Sequence, residues 1–367
     1  MVVVDVVVFV LGAVLVAFTL SAAVRAVVVP RATPVMLTRV VFVGMRRLFD
    51  LWGRRADTYE ERDRAMALYA PLSLLNLAFV WLVLVLAGYT AMFWAIGNNP
   101  WHEAFRLSGS SIVTLGFAPF TDLPTTVLGV SEAALGLSLL ALLITYLPSV
   151  YATFSRREQV VALLEVRAGS PPSAAELIER FARIGWLDRL DDLWSQWESW
   201  FVDIEETHTS LPALVFFRSP QPDRSWVTAA GAMLDTASFV ASSFPGRHPD
   251  AELCVRSGSI ALRRIADFFE VPYDPNPQRG DPVSVSREEY EAMHARLVGV
   301  GVVLRPVTDE TWLDFAGWRV NYDIVLLALA SLTMAPYAPW SSDRSLSVRR
   351  AAFTSWGRRR RRRAARR

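Results

Sequence analysis

The segment Asn98–Pro119, which reads NNPWHEAFRLSGSSIVTLGFAP, holds the residues best suited to chemistry, and that chemistry is the handling of a dehydrated cation by peptide oxygens. Asn99 is a favourable N-cap, Pro100 suits a first helical turn, and Glu103 complements the positive helix start. The pattern predicts a helix of about ten residues, too short to cross a bilayer, which needs about 20. Thr114-Leu115-Gly116-Phe117 follows it directly. Non-helical backbone at membrane depth is tolerated only where protein buries it or where it lines a wet cavity. Carbonyls held inward in such a place replace the water shell of a permeating ion. Gly116 provides backbone angles closed to most residues.

Such a loop needs spanning helices on both sides. Three segments have the length and apolar character: Val2 to Val24 with only Asp5 charged, Tyr69 to Gly97 with no charge, and Val127 to Phe154 with only Glu132 charged. The first lacks the basic residues that precede the apolar core of a signal peptide, and its run is too long, so a retained helix is expected. The composition, 52% hydrophobic, places the chain in the membrane class. Thirteen tryptophans suit membrane interfaces.

Arginine placement gives an orientation. Arg25, Arg31, Arg39, Arg46, Arg47, Arg54 and Arg55 lie between the first two spans, and Arg156 and Arg157 follow the third, whereas Arg106 is alone between spans two and three. The positive-inside rule puts the amino terminus and the 97–126 loop outside, and the 25–68 loop and the carboxy-terminal part in the cytoplasm of a multi-pass cell-membrane protein. Val35 to Trp52 separates apolar and basic positions at helical spacing. It fits a helix lying in the inner interface or packed on the soluble part.

From Ser155 the pattern is that of a soluble, mainly helical domain. Helical periodicity covers 173–206, 226–243, 250–270, 286–298 and 309–335, with proline-rich breaks at 220–222 and 272–277. Ser170-Pro171-Pro172-Ser173 reads as a hinge. Only Val298 to Val303 is strand-like. The apolar run Ile324 to Met334 is too short to span and reads as a core helix. The expected organisation is an all-α membrane protein: an N-terminal transmembrane helix (1–29), a basic segment (30–68), a membrane module (69–154), a helical cytoplasmic domain (155–343) and an arginine-rich tail (344–367).

Other constellations point elsewhere. Asp203-Ile204-Glu205-Glu206-Thr207-His208 gathers acids and a histidine, as a metal or proton-sensing site would, but also fits the solvated end of a helix. Trp186, Trp194, Trp197 and Trp200 recur at helical spacing and read as a packing face. The single cysteine, Cys254, excludes an intrachain disulfide and reads as a buried thiol. No histidine pair at metal spacing, phosphate-binding glycine loop or nucleophile elbow is present, so neither an enzyme nor a metal or cofactor site is expected. The tail, with arginines 358–363 in one run, suits anionic lipid headgroups or contact with the acidic remainder of the chain; nucleic acid is not an expected partner.

Thr114-Leu115-Gly116-Phe117-Ala118, preceded by Ser110-Ser111, resembles the selectivity filter of the potassium-channel family. The order of outer helix, pore helix, filter and inner helix over 69–154 is similar as well. The resemblance implies a potassium-channel-like pore module and a permeant monovalent cation, potassium. It implies filter residues Thr114, Leu115, Gly116, Phe117 and Ala118, an inner-helix hinge at Gly136, a kink at Pro148 and assembly as a homotetramer. The cytoplasmic domain would gate or assemble the pore. The sequence departs from the family at Ala118, where a second glycine is expected, at Pro119, where an acid is usual, and at Arg106 in the short helix. These departures motivate an alternative, a non-conducting scaffold or sensor on the same fold.

Overall fold

The computed structural model describes residues 2–29, 35–53, 57–97 and 100–344. Every regular element among the described residues is helical. In order these are α1 (Val2–Val27), α2 (Met36–Gly53), α3 (Tyr59–Ala67), α4 (Tyr69–Gly97), α5 (Trp101–Ile112), α6 (Leu123–Ala168), α7 (Ala174–Arg183), α8 (Leu190–Ser210), α9 (Trp226–Ser243), α10 (Pro249–Phe268), α11 (Arg287–Gly299), α12 (Asp309–Arg319) and α13 (Asp323–Thr333). The chain divides into two compact units, Met1–Arg55 with Leu68–Ala152, and Ala56–Ala67 with Thr153–Arg367.

In the first unit, α1, α4 and α6 are long and apolar enough to cross a membrane. Helix α1 turns Gly12, Val16, Thr19 and Ala23 to α4, a stripe of mostly small residues at helical spacing. The approach is close: a Cβ on Gly12 would lie 2.5 Å from the Gly88 carbonyl oxygen. Apolar helices gain little from mutual burial inside a bilayer, so contact of this closeness is what holds them. Helix α2 packs on the start of α4. The Tyr69 hydroxyl donates to the Phe42 carbonyl at 3.1 Å, and Phe49 meets the Tyr69 ring edge-on. Val41 and Phe49 are buried, while Met36, Val40, Leu48, Leu51 and Trp52 of the same helix remain exposed, so this packing takes up only part of the apolar face expected of 35–52.

The second unit is built around α9. This helix carries one charge, Asp235, and small or apolar residues on all sides, so it has no face suited to water and nearly all of it is buried. Trp194, Trp197 and Phe201 of α8, Tyr290 of α11 and Phe315 of α12 are fully buried within the same unit. The lone Asp235 is met by Arg319 and by the Tyr322 hydroxyl at 2.8 Å. Arg319 also bonds Asp323 at 3.0 Å and the Trp340 carbonyl at 2.5 Å, so its donors are matched where water cannot reach. Helix α3 belongs with this unit through the Asp63–Arg218 ion pair.

Several boundaries differ from the expected ones for local reasons. The 173–206 pattern breaks at Gly185, whose φ of 70° ends α7. The 309–335 pattern divides between Arg319 and Asp323. Val298–Val303 forms no strand. It ends α11 in a Schellman motif, with Val302 N–H donating to Leu297 O at 3.1 Å and Gly301 N–H to Val298 O at 2.9 Å. The third apolar segment extends to Ala168 because its later turns are amphipathic and bury Val161, Leu164 and Ala168.

Candidate functional site

The candidate loop is held by α5. This helix is 12 residues long, about 18 Å at 1.5 Å per residue, far short of a bilayer's apolar thickness of about 30 Å. Pro100 directly precedes its first turn; Asn99, the expected cap, lies outside the described residues. Glu103 pairs with Arg106 one turn on, at 3.1 Å, which accounts for the arginine in this helix. The inner face buries Ala104, Leu107, Ser108, Ser111 and Ile112.

After Ile112 the backbone leaves the helix and folds back on it. Ser110 organises the return: its carbonyl accepts from Gly116 N–H at 3.1 Å, and its hydroxyl accepts from Ala118 N–H at 3.0 Å. The turn brings Thr114 to a φ of 56° and Gly116 to 68°. Glycine is at home in that region, but a β-branched residue is not, so Thr114 carries strain of about 1–3 kcal/mol. Residues 113–117 are exposed in the single chain, Leu115 to 67% and Phe117 to 58%, whereas Ala118 is buried. Ala118 thus sits under the loop, tied to Ser110, while Thr114, Leu115, Gly116 and Phe117 face outward.

The far end of the loop is anchored by Phe120, whose ring stacks on Phe93 of α4 at 6.1 Å and fills the space beside Gly129 of α6. Asp122 then starts α6 by accepting from Thr125 N–H at 2.9 Å. Helix α6 continues through Gly136 and Pro148. The space beside Gly136 is taken by the Ile112 carbonyl, which a Cβ there would approach to 2.0 Å. The reason the structure shows for this glycine is contact with the last turn of α5, whereas the expectation for it was a hinge.

Sequence reasoning passed over two further residues. Ser108 on α5 lies 3.1 Å from the Leu86 carbonyl of α4 and 2.5 Å from Oε1 of Glu132 on α6. Glu132 is completely buried, and its Oε2 has no hydrogen-bond partner. A single acid in an apolar span was the available signal, because such groups are costly there and mark functional positions.

The remaining candidates behave structurally. His208 is buried, with Nε2 3.1 Å from an Arg157 nitrogen and Nδ1 3.2 Å from the Thr207 hydroxyl. Burial first, and the Arg157 charge second, hold it well below the ordinary histidine range. Asp203 pairs instead with Arg156 at 3.2 Å and Glu205 with Arg264, so the acids do not converge on the imidazole. No group of three His, Cys, Asp or Glu able to hold a metal occurs among the described residues. Trp194, Trp197 and Trp200 form the expected packing face, while Trp186 is exposed with Arg189 over its ring. Cys254 is buried, and burial pushes its thiol well above the ordinary range. The arginine-rich tail beyond Arg344 lies outside the described residues.

Fold and site together define, among the described residues, an all-helical protein with three candidate membrane-spanning helices and, between two of them, a short helix that returns through an irregular loop. No protein-family model matches the chain, no curated protein matches it in sequence, and no solved structure matches it in fold.

Proposed function

We propose that this chain is a subunit of an oligomeric, potassium-channel-like cation channel. In this reading α4 is the outer helix, α5 the pore helix, 114–118 the filter and α6 the inner helix. Ions pass through Thr114, Leu115, Gly116, Phe117 and Ala118 of several copies, four by the family resemblance. The amino terminus is outside, the helical domain is cytoplasmic and gates or assembles the pore, and the arginine tail meets anionic headgroups.

One observation carries the reading. Residues 113–117 are irregular and exposed in the single chain, and they lie between two helices apolar enough to span. Exposed peptide groups cannot face lipid, so at membrane depth they require a water-filled path or neighbouring protein, and a pore shared by several copies supplies both. The left-handed geometry at Thr114 and Gly116 gives the loop a specific shape rather than a continuing helix.

The second reading, a non-conducting scaffold or sensor on the same fold, is favoured by Ala118. Its N–H is bonded to Ser110 and its side chain is buried, so the last filter position is tied down. Potassium flux into liposomes, together with the mass of the detergent-extracted complex, separates the two. The channel reading expects a fourfold mass and a flux that Gly116→Asp abolishes without changing assembly. Correctly assembled oligomers that pass no ion support the scaffold. A monomeric mass ends the channel reading.

A further inference from the structure

We propose that Glu132 is a positioning residue that carries a proton at neutral pH and, through Ser108, fastens the loop-bearing helix α5 to both α4 and α6. Its consequence for ion passage rests on the channel reading; the proton itself does not.

The assignment follows from counting protons. Ser108 Oγ contacts two oxygens, the Leu86 carbonyl at 3.1 Å and Glu132 Oε1 at 2.5 Å. A hydroxyl has one hydrogen, and a peptide carbonyl can only accept. If Ser108 donates to Leu86, the second contact needs a hydrogen from the other side, and only a carboxylic acid has one to give. A carboxylate would set two acceptors in competition for one hydrogen and leave the loser facing a bare oxygen.

The surroundings agree. Glu132 is fully buried, and its Oε2 has no partner, whereas a buried carboxylate normally gathers several donors. Among the described residues no cation faces it from the elements packed around it. On α5, Arg106 is exposed and pairs with Glu103, and His102 is exposed beside the same glutamate. From α4 the titratable neighbour is Tyr89, whose hydroxyl is engaged with Ser131 at 2.9 Å. An ionised carboxylate held among apolar groups with no countercharge is far costlier than the neutral acid.

The result is a chain of donors, Glu132 to Ser108 to Leu86, that crosses three helices. Ser108 lies two residues before Ser110, which shapes the loop. Loss of the proton leaves one hydrogen for two acceptors, so Ser108 keeps only one of its two ties, to α4 or to α6, and the same step that charges Glu132 loosens the base of the loop.

Infrared spectroscopy of the purified full-length protein at neutral pH tests the proton directly. The expected result is a carboxylic-acid C=O band in the wild type that is absent in Glu132→Gln and shifted, not lost, in Ser108→Ala. No such band in the wild type overturns the proposal, and so does a band unaffected by both substitutions. In liposomes, Glu132→Gln keeps a donor toward Ser108 and is expected to retain flux within about twofold, whereas Glu132→Ala loses about tenfold, the scale of one buried hydrogen bond. Wild-type flux is expected to fall as alkaline pH removes the proton, and Glu132→Gln to be indifferent to pH over that range. A Glu132→Ala protein that conducts as the wild type does, or a Glu132→Gln protein with the wild-type pH profile, overturns the positioning role. Absence of wild-type flux overturns the channel reading and leaves the infrared result to stand or fall alone.

Discussion

Placing alanine at Gly136 should disturb the loop helix without touching the loop. A Cβ at this position lies 2.0 Å from the Ile112 carbonyl oxygen and 3.0 Å from its carbon, where real Cβ atoms essentially never come closer than 3.0 Å. Both obstacles are backbone, so no side-chain rotation relieves the clash, and α6 must withdraw from the end of α5 by about 1 Å. Overpacking of this kind costs about 1–3 kcal/mol. For a protein of this size that lowers the melting temperature by roughly 1–4 °C. Gly44→Ala is the control. It is also within a helix, but nothing lies within 4 Å of the added carbon. Removing glycine's backbone freedom there is expected to stabilise by about 1 kcal/mol. The assay is thermal unfolding in detergent paired with liposome flux. Gly136→Ala is expected to melt lower and conduct less, and Gly44→Ala to do neither. A Gly136→Ala protein that melts with the wild type would refute the contact between α5 and α6.

Three further outcomes can be checked. Arg319→Met leaves Asp235 and Asp323 without their buried cation and is expected to cost about 3–5 kcal/mol, read by denaturant unfolding of the full chain; an unchanged midpoint would contradict the network. His208 should make stability pH-dependent. Its folded value is depressed, so the unfolded chain binds the extra proton below about 6.5, and stability present above that pH falls on acidification by up to about 1.4 kcal/mol per pH unit. Burial pushes Asp235 up to about 6 against the pull of Arg319, which acts in the opposite sense between about 4 and 6, so the His208 effect is cleanest from about 6 to 6.5. His208→Gln should flatten that slope, and an unaltered slope would count against the assignment. Gly88→Val forces α1 off α4, since even a Cβ there meets Val16 at 2.7 Å and Gly12 O at 2.9 Å; equal thermal stability would show that the two helices are not locked by this contact.

The pattern of apolar runs made the three long helices legible, because the length and purity of those runs admit few other readings. The short helix after Pro100 was legible for the same reason: the chain between two apolar runs carried its own start signal. What could not be read was how the loop closes. Ser110 looked like one hydroxyl in a row, yet its carbonyl and hydroxyl together fix residues 116 and 118. Glu132 was visible only as an isolated acid, since its partner lies 24 residues away on another helix. The end of α11 misled for a different reason: alternation of valine and glycine over 298–303 has the period of a strand, but two glycines beside a helix terminus favour a cap. The central place of α9 was foreshadowed by its almost uncharged composition, while the identity of Asp235's partners required the fold.

The bonds that shape the 113–118 segment span only three, six and eight residues of chain, the longer two ending on Ser110. Closures this short form early and cost little chain entropy. The chain can therefore acquire this turn during its own synthesis, and the association proposed above would then join ready-made surfaces instead of moulding them.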